Sequence, residues 1–160
     1  MSGVAAGSFG PNVDLSRAML AQMVYAMEGK PAVSGASGFS DVPANEWFAS
    51  AVNWAAANGV VSGVSETGFG PNNALTREQL ALILYRYAQN QGYDTTQGGM
   101  AVREFADSDK ISDWAAEAVA WAVNEGLLSG GDGNQLNPTG TATRAQVAQV
   151  LMNFCQNVAQ

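Results

Sequence analysis

The sequence lacks histidine altogether and contains a single cysteine, Cys155, among its 160 residues. An intramolecular disulfide is therefore impossible, and metal or nucleophilic sites that need histidine or paired cysteines are excluded. Cys155 falls within an apolar pattern of helical spacing, which predicts a packed, unreactive thiol. We expect neither a metal nor another cofactor.

Charge is also scarce. Charged residues make up 13% of the chain, and the balance of 7 basic against 14 acidic side chains gives a net charge of −7. Without a basic run, the electrostatic pattern of a nucleic-acid-binding protein is absent. Recognition of an anion must then come from a few placed arginines and backbone N–H groups.

Long apolar runs are missing too. No stretch approaches the roughly 20 residues of a membrane-spanning helix, so we expect no membrane insertion. The chain does not open with the charged and then apolar segments of a signal peptide. For a surface protein, that absence predicts a fragment of a larger secreted protein.

What the sequence does contain is a repeat. Three segments that begin at Gly3, Gly63 and Gly130 align without a gap. In each, a proline follows after eight residues and an arginine after six more, and apolar residues then occupy positions +3, +6, +7 and +10 from the arginine. That spacing marks one face of an α-helix. The arginines are Arg17, Arg77 and Arg144.

A second block precedes two of the three copies. It reads FSDVPANEWFASAVNWAAANGVVSG from Phe39 and FADSDKISDWAAEAVAWAVNEGLLSG from Phe105. Each contains two tryptophans seven residues apart, which share a helical face, and then a glycine suited to end the helix. These residues are Trp47, Trp54 and Gly59 in one block, and Trp114, Trp121 and Gly126 in the other.

The first copy lacks this block, which predicts two and a half repeats and five helices. We place the half repeat at 1–30, the second repeat at 39–92 and the third at 105–160. Helix pairs of about fifty residues bury too little surface to stand alone, so the repeats are expected to form one packed unit. The half repeat is expected to expose apolar surface around Leu20, Val24 and Met27 unless another helix covers it.

A hydroxyl residue stands just before each repeated arginine, where it can accept a hydrogen bond from the first helical turn. These residues are Ser16, Thr76 and Thr143. Gln79 and Gln146 complete a capping box in the second and third copies, whereas the first copy has Met19 and is expected to have a weaker cap.

The arginines themselves admit two interpretations. A cation in the first turn of a helix is disfavoured by the helix dipole, yet all three copies have one. Each either pairs with a nearby carboxylate, Asp41 or Asp107, or serves an anionic ligand beside the free N–H groups of the helix start.

Tryptophans and aspartates leave alternatives as well. Trp54 and Trp121 are predicted to be core residues. Trp47 and Trp114 start their helices after a polar loop, where the ring could stack on a sugar or pack in the core. Asp41 and Asp107 are expected to hydrogen-bond a local turn.

In order and spacing, these elements resemble the S-layer homology (SLH) repeat: FSDV…W…NGVVSG…GFGPNNALTREQLA and FADS…W…EGLLSG…QLNPTGTATRAQVA. The resemblance implies an all-α fold of tandem SLH helix-loop-helix repeats in a pseudo-threefold helical bundle, with the first repeat truncated. The third copy departs from the pattern by having Leu136-Asn137-Pro138 in place of Phe-x-Pro.

The resemblance also implies a function. SLH repeats bind secondary cell wall polysaccharides, often pyruvylated, at the Gram-positive cell surface, so we expect a non-catalytic anchor that is extracellular. Residues carried over as ligand-binding are Arg17, Arg77, Arg144, Asp41, Asp107, Trp47, Trp114, Gly63 and Gly130. The alternative is a protein-interaction module whose incomplete first repeat is completed by a partner helix or by self-association.

Overall fold

The computed structural model describes residues 13–33, 38–93, 95, 105–128 and 135–158. These ranges contain five α-helices and two short 3₁₀ turns, with only isolated bridges between extended segments. The helices are α1 (Arg17–Met27), α2 (Ala49–Ala57), α3 (Arg77–Asn90), α4 (Ala116–Asn124) and α5 (Arg144–Asn157), and the 3₁₀ turns Ser108–Lys110 and Asp113–Ala115 precede α4. The expected all-α fold is confirmed.

The three long helices α1, α3 and α5 begin at the repeated arginines, as predicted. Thr76 and Thr143 each form a capping box with the glutamine three residues later. Ser16 accepts a hydrogen bond from the Met19 backbone N–H at 3.2 Å. The side chain of Met19 has no oxygen that could accept a hydrogen bond from the Ser16 backbone N–H, so this cap lacks the second bond of a capping box.

The predicted glycines follow the short helices α2 and α4, two residues after the last helical residue of each. Gly59 and Gly126 have φ angles of 71° and 76°, the left-handed conformation that a side chain disfavours. Trp54 and Trp121, one on each short helix, are buried as predicted.

Helices pair between repeats, because each short helix packs along the long helix of the preceding repeat. Accordingly, α2 covers α1, and the rings of Tyr25 and Trp54 lie 5.8 Å apart. The second repeat thus supplies the helix that covers the half repeat, and Leu20 and Val24 are fully buried. Met27 alone of the three is exposed.

Cys155 corrects a second expectation, because the thiol is exposed rather than packed. Its counterpart on α3 is Ala88, eleven residues after the arginine, which is fully buried. The helix α4 packs along α3, whereas no helix among the described residues packs along α5 in the same way. Cys155 is therefore left facing outward.

The segments before the three long helices join in a ring of backbone hydrogen bonds. Leu15 N–H donates to Ala142 O at 2.9 Å, Leu75 N–H to Leu15 O at 2.8 Å, and Ala142 N–H to Leu75 O at 2.9 Å. The first repeat thus bonds to both others, which brings the three helix starts to one place. Pseudo-threefold packing of the helices as a whole stays a prediction.

Candidate functional site at the seams between repeats

Each repeated arginine contacts a neighbouring repeat across the boundary between the two, which we call a seam. Arg17 donates from Nε to Phe69 O at 3.0 Å and from Nη2 to Ser62 O at 2.7 Å. Its guanidinium carbon lies 4.7 Å from the centre of the Phe69 ring, a cation–π contact. The side chain of Arg17 is buried, so these partners replace the water that it loses.

Arg77 makes the corresponding contact one repeat further on, from Nε to Leu136 O at 2.7 Å. Leu136 occupies the position of Phe69, so the departure of the third copy from Phe-x-Pro removes the aromatic ring at this seam. Arg144 is buried, and its Nη2 lies 3.7 Å from the sulfur of Met19 in the first repeat.

Asp41 and Asp107 do not cap a local turn, which corrects the expectation. Asp41 accepts from the N–H groups of Phe69 and Gly70, at 2.8 and 2.9 Å. Asp107 accepts from the two N–H groups at 136 and 137, both at 2.8 Å. Each carboxylate therefore fixes the loop that leads into the long helix of its own repeat, about thirty residues along the chain. The same loop supplies the carbonyl to which the arginine of the preceding repeat donates.

Charge couples the aspartates to the arginines. Burial lowers the pKa of Arg17, and the negative charge of Asp41 partly opposes that shift. Burial and Asp107 act on the pKa of Arg77 in the same way. Burial alone would raise the pKa of Asp41, but the N–H groups of Phe69 and Gly70 stabilise its ionised form and lower it. At the seams of Arg17 and Arg77, the negative charge of an aspartate therefore favours the ionised form of the buried arginine.

The seam at Arg17 also opens into a cavity of about 440 Å³, which we call groove 1. All three repeats contribute to it: Arg17 from the first, residues 61–64 and α3 from the second, and Trp114 from the third. Its polar lining includes a second guanidinium, that of Arg86, whose Nη1 lies 3.3 Å from Ser62 Oγ.

Sequence reasoning missed Arg86, yet a signal was present. Arg86 stands nine residues after Arg77, and the aligned positions in the other copies are Ala26 and Asn153. A charge that occurs in only one copy drops out of a search for shared positions. Only the fold places it beside Arg17.

The two leading tryptophans are exposed, Trp47 by 59% and Trp114 by 56%. Trp114 lines groove 1, whereas Trp47 lines a separate cavity of about 410 Å³ with Asp41 and Glu46. No arginine or lysine is among the described residues around that second cavity. The structure thus brings Arg17, Gly63 and Trp114 together on the lining of groove 1. Asp41 and Trp47 line the second cavity, which is acidic.

Gly63 lines groove 1, but the backbone also requires it. A Cβ there would lie 2.5 Å from Ser65 O and 2.6 Å from Gly68 O, closer than atoms can approach. A glycine is thus needed to fold the loop whether or not a ligand approaches. Gly130 lies outside the described residues.

Within the described ranges, no helix is long and apolar enough to cross a membrane, and no three acidic or cysteine side chains cluster as metal ligands would. A family profile for the "S-layer homology domain" matches residues 38–81 and 104–148. The chain belongs to the S-layer homology family.

Relatives of this SLH chain include surface proteins and enzymes. It is 33% identical to a "Surface-layer 125 kDa protein" of Lysinibacillus sphaericus, over 99% of the chain and 13% of that protein. Identity is 29% to the "S-layer protein sap" of Bacillus anthracis, over 91% of the chain and 17% of that protein. An "Amylopullulanase" of Thermoanaerobacterium thermosulfurigenes is also 29% identical, over 98% of the chain and 8% of the enzyme.

This SLH chain therefore spans less than a fifth of the length of those relatives. What it shares with the enzyme is the SLH module, which is non-catalytic, and not a catalytic domain.

Proposed function

We propose that this SLH module anchors a larger protein to the bacterial cell wall by binding an anionic secondary cell wall polysaccharide in groove 1. The observation that carries the proposal is the pair of guanidinium groups, Arg17 and Arg86, on the lining of one cavity between repeats. Two arginines in an otherwise acidic chain form a local positive site.

The chemistry of groove 1 suits a sugar with a carboxylate, such as a pyruvylated residue. An arginine has five N–H donors, and the contacts to Phe69 and Ser62 use two of those on Arg17. Arg86 is half-buried on the lining of the same groove, where it adds charge and donors. Arginine recognises carboxylates through paired hydrogen bonds, which makes this ligand class the natural one.

Trp114 supplies the apolar surface that a sugar ring needs. Its indole is more than half exposed and lines the same cavity as the two arginines. The apolar face of a pyranose packs on an aromatic ring while its substituents hydrogen-bond at the edges. The side chains of Ser62 and Gln79, on the lining of the same cavity, add neutral polar groups.

The three seams are not equivalent, and we propose that groove 1 is the main site. The +9 position has an arginine only at Arg86, and the sequence has two leading tryptophans for three seams. Arg77, Arg144, Asp41, Asp107 and Trp47 were also predicted to bind ligand. We propose that the two aspartates act instead by fixing loops.

Anchoring fits the relatives, which include S-layer proteins of Lysinibacillus and Bacillus as well as a polysaccharide-degrading enzyme. A module that holds different proteins at one surface needs no catalytic group. We therefore place the parent protein at the cell surface.

The test is co-sedimentation with purified cell-wall sacculi, before and after acid removal of the secondary polymer. The unmodified chain is expected to bind untreated sacculi and to lose binding after extraction. Arg86→Ala is expected to weaken binding by about 1–3 kcal/mol, because a charged hydrogen bond to the ligand is lost. Binding should also weaken with added salt.

Lys110→Ala is the matched control, since it removes one positive charge from an exposed position outside groove 1. It is expected to bind as the parent does. If Arg86→Ala and Lys110→Ala bind sacculi equally, groove 1 is not the site. If extracted sacculi bind as well as untreated ones, the polysaccharide is not the ligand.

A further inference from the structure

A buried carboxylate, that of Glu78, joins the second repeat to the third. Glu78 is the second residue of α3 and is 2% exposed. Its Oε2 accepts a hydrogen bond from the Ser112 N–H at 2.9 Å, and its Oε1 accepts one from the Ser112 hydroxyl at 2.6 Å. Because Ser112 belongs to the third repeat, both oxygens bind across the boundary. We call these two hydrogen bonds the Glu78 clamp.

The two residues of the clamp have no counterparts elsewhere in the sequence. The residue that follows the repeated arginine is Ala18 in the first copy and Ala145 in the third, and the position two residues before the other leading tryptophan is Asn45. Alanine is therefore sufficient to begin a long helix. Burial of a carboxylate is unfavourable unless hydrogen bonds compensate for it, and the clamp supplies them.

Ser112 leads directly into the segment that carries Trp114. The 3₁₀ turn Asp113–Ala115 begins after Ser112, and the Ala115 N–H donates to Ser112 O at 3.0 Å. The hydroxyl of Ser112 does not cap this turn, because it donates to Glu78 instead. The first residue of the segment thus ties the tryptophan to α3.

The two exposed tryptophans are held differently. Trp47 packs edge-on against the ring of Phe48, whose centre lies 5.1 Å away. The residue after Trp114 is Ala115, which has no ring to offer. Since the side chain of Trp114 is more than half exposed, the position of its backbone largely decides where the indole lies.

The clamp joins two elements that line groove 1. Gln79 and Arg86 of α3 contribute to the lining, and so does Trp114 of the third repeat. Glu78 directly precedes Gln79, so the clamp sets the distance between the α3 part of the lining and the tryptophan. A sugar that packs on the indole while its carboxylate reaches Arg86 needs that distance to be fixed.

We propose that Glu78 is a positioning residue for polysaccharide binding, because through Ser112 it holds Trp114 in place at groove 1. The inference rests on the binding site proposed there. If the ligand had to order the tryptophan, the lost freedom of that side chain would oppose binding. Glu78 acts without touching the ligand, since its carboxylate is buried against Ser112.

The direction of one change in affinity separates positioning from charge. Glu78→Ala removes a negative charge, which by itself would tighten the binding of an anionic polymer. Loss of the clamp is expected instead to weaken co-sedimentation with untreated sacculi about three- to tenfold, the factor that the ordering of one side chain costs. Because the other two copies have alanine at this position, the variant should fold. Glu78→Gln keeps one acceptor oxygen and should recover part of the loss.

Glu46→Ala is the matched control. It removes an exposed glutamate that lines the second cavity and stands directly before the other leading tryptophan. It is expected to bind sacculi as the parent does.

A double-mutant cycle determines whether Glu78 acts through Trp114. In a Trp114→Ala background there is no ring to position, so Glu78→Ala should change the Kd by no more than about twofold. If the two losses multiply, Glu78 acts on the module as a whole and the proposal is wrong. Tighter binding by Glu78→Ala alone would also overturn it.

The position of the ring can be followed without a ligand. With 5-fluorotryptophan at all four tryptophans, the fluorine resonance of Trp114 is identified by its absence in Trp114→Phe. Glu78→Ala and Ser112→Ala are each expected to shift or broaden that resonance. The resonance of the buried Trp54 should stay unchanged, which shows that the variants are folded.

An unchanged Trp114 resonance in Glu78→Ala would overturn the positioning role and leave groove 1 as the binding site. Failure of groove 1 itself would appear elsewhere, as equal binding by Arg86→Ala and Lys110→Ala. In that case the role of Glu78 in polysaccharide binding is wrong as well, whatever the fluorine spectrum shows.

Discussion

Replacement of Asp107 by alanine should destabilise the module more than replacement of its exposed charged neighbours, Asp109 and Lys110. Asp107 is 5% exposed and accepts hydrogen bonds from the N–H groups of Leu136 and Asn137, both at 2.8 Å. Each bond to a charged acceptor contributes about 1.5–3 kcal/mol. Asp107→Ala should therefore lower the free energy of unfolding by about 3–5 kcal/mol, with the lower part of the range favoured because water can partly replace the carboxylate.

Urea denaturation followed by tryptophan fluorescence measures this, with an unchanged m-value as the sign that the unfolding reaction is the same. Asp109→Ala is the control, since it removes the same charge from an exposed position two residues away and should cost about 0.5 kcal/mol or less. If Asp107→Ala proves no more destabilising than Asp109→Ala, the carboxylate does not hold the loop. The account of how Leu136 O reaches Arg77 would fall with it.

Two further predictions concern the same loops. Gly63→Ala should lower the melting temperature measurably, with a loss of about 1–3 kcal/mol, because the added Cβ meets the backbone oxygens of Ser65 and Gly68; an unchanged melting temperature would show that the loop relaxes freely. In acid, the lowered pKa values of Asp41 and Asp107 mean that their stabilisation is complete above their unfolded-state pKa near 4 and is lost as the pH falls through the folded-state values. Denaturation curves from about pH 5 to pH 2 should show that loss in the parent and less of it in Asp41→Asn/Asp107→Asn; parallel curves would contradict the assignment.

The sequence predicted those features whose physical causes are local. A hydroxyl before Arg77 or Arg144, with a glutamine three residues later, contains the whole capping box. The seven-residue spacing between the two tryptophans of each block was enough to place them on the same face of a helix. The apolar character of Trp54 and Trp121 was enough to predict that they are buried. In each case both partners lie within a few residues of each other.

Partners that are backbone atoms far along the chain could not be predicted. Arg17 donates to the carbonyls of residues 62 and 69, and Asp41 accepts from N–H groups at 69 and 70. A peptide group has no sequence signature, so only the path of the loop reveals that it is the partner. The sequence predicted an aspartate as a possible partner of each arginine, but it could not predict the backbone groups to which both side chains bond.

Helix pairing misled for a related reason. The sequence does not show which short helix covers which long helix, so it could not predict that α2 buries Leu20 and Val24 or that Cys155 stays exposed. In the structure, α1 and α3 each pair with the short helix of the next repeat, whereas no short helix of the described residues packs along α5.

The hydrogen-bonded ring through Leu15, Leu75 and Ala142 has a consequence for how such modules can evolve. A row of repeats stacked end to end can lengthen by one unit at a time, and its hold on a surface can grow with it. Here the last repeat bonds back to the first, so a fourth would find no vacant position without breaking a bond already made. A protein that needs a firmer hold must therefore duplicate the whole set.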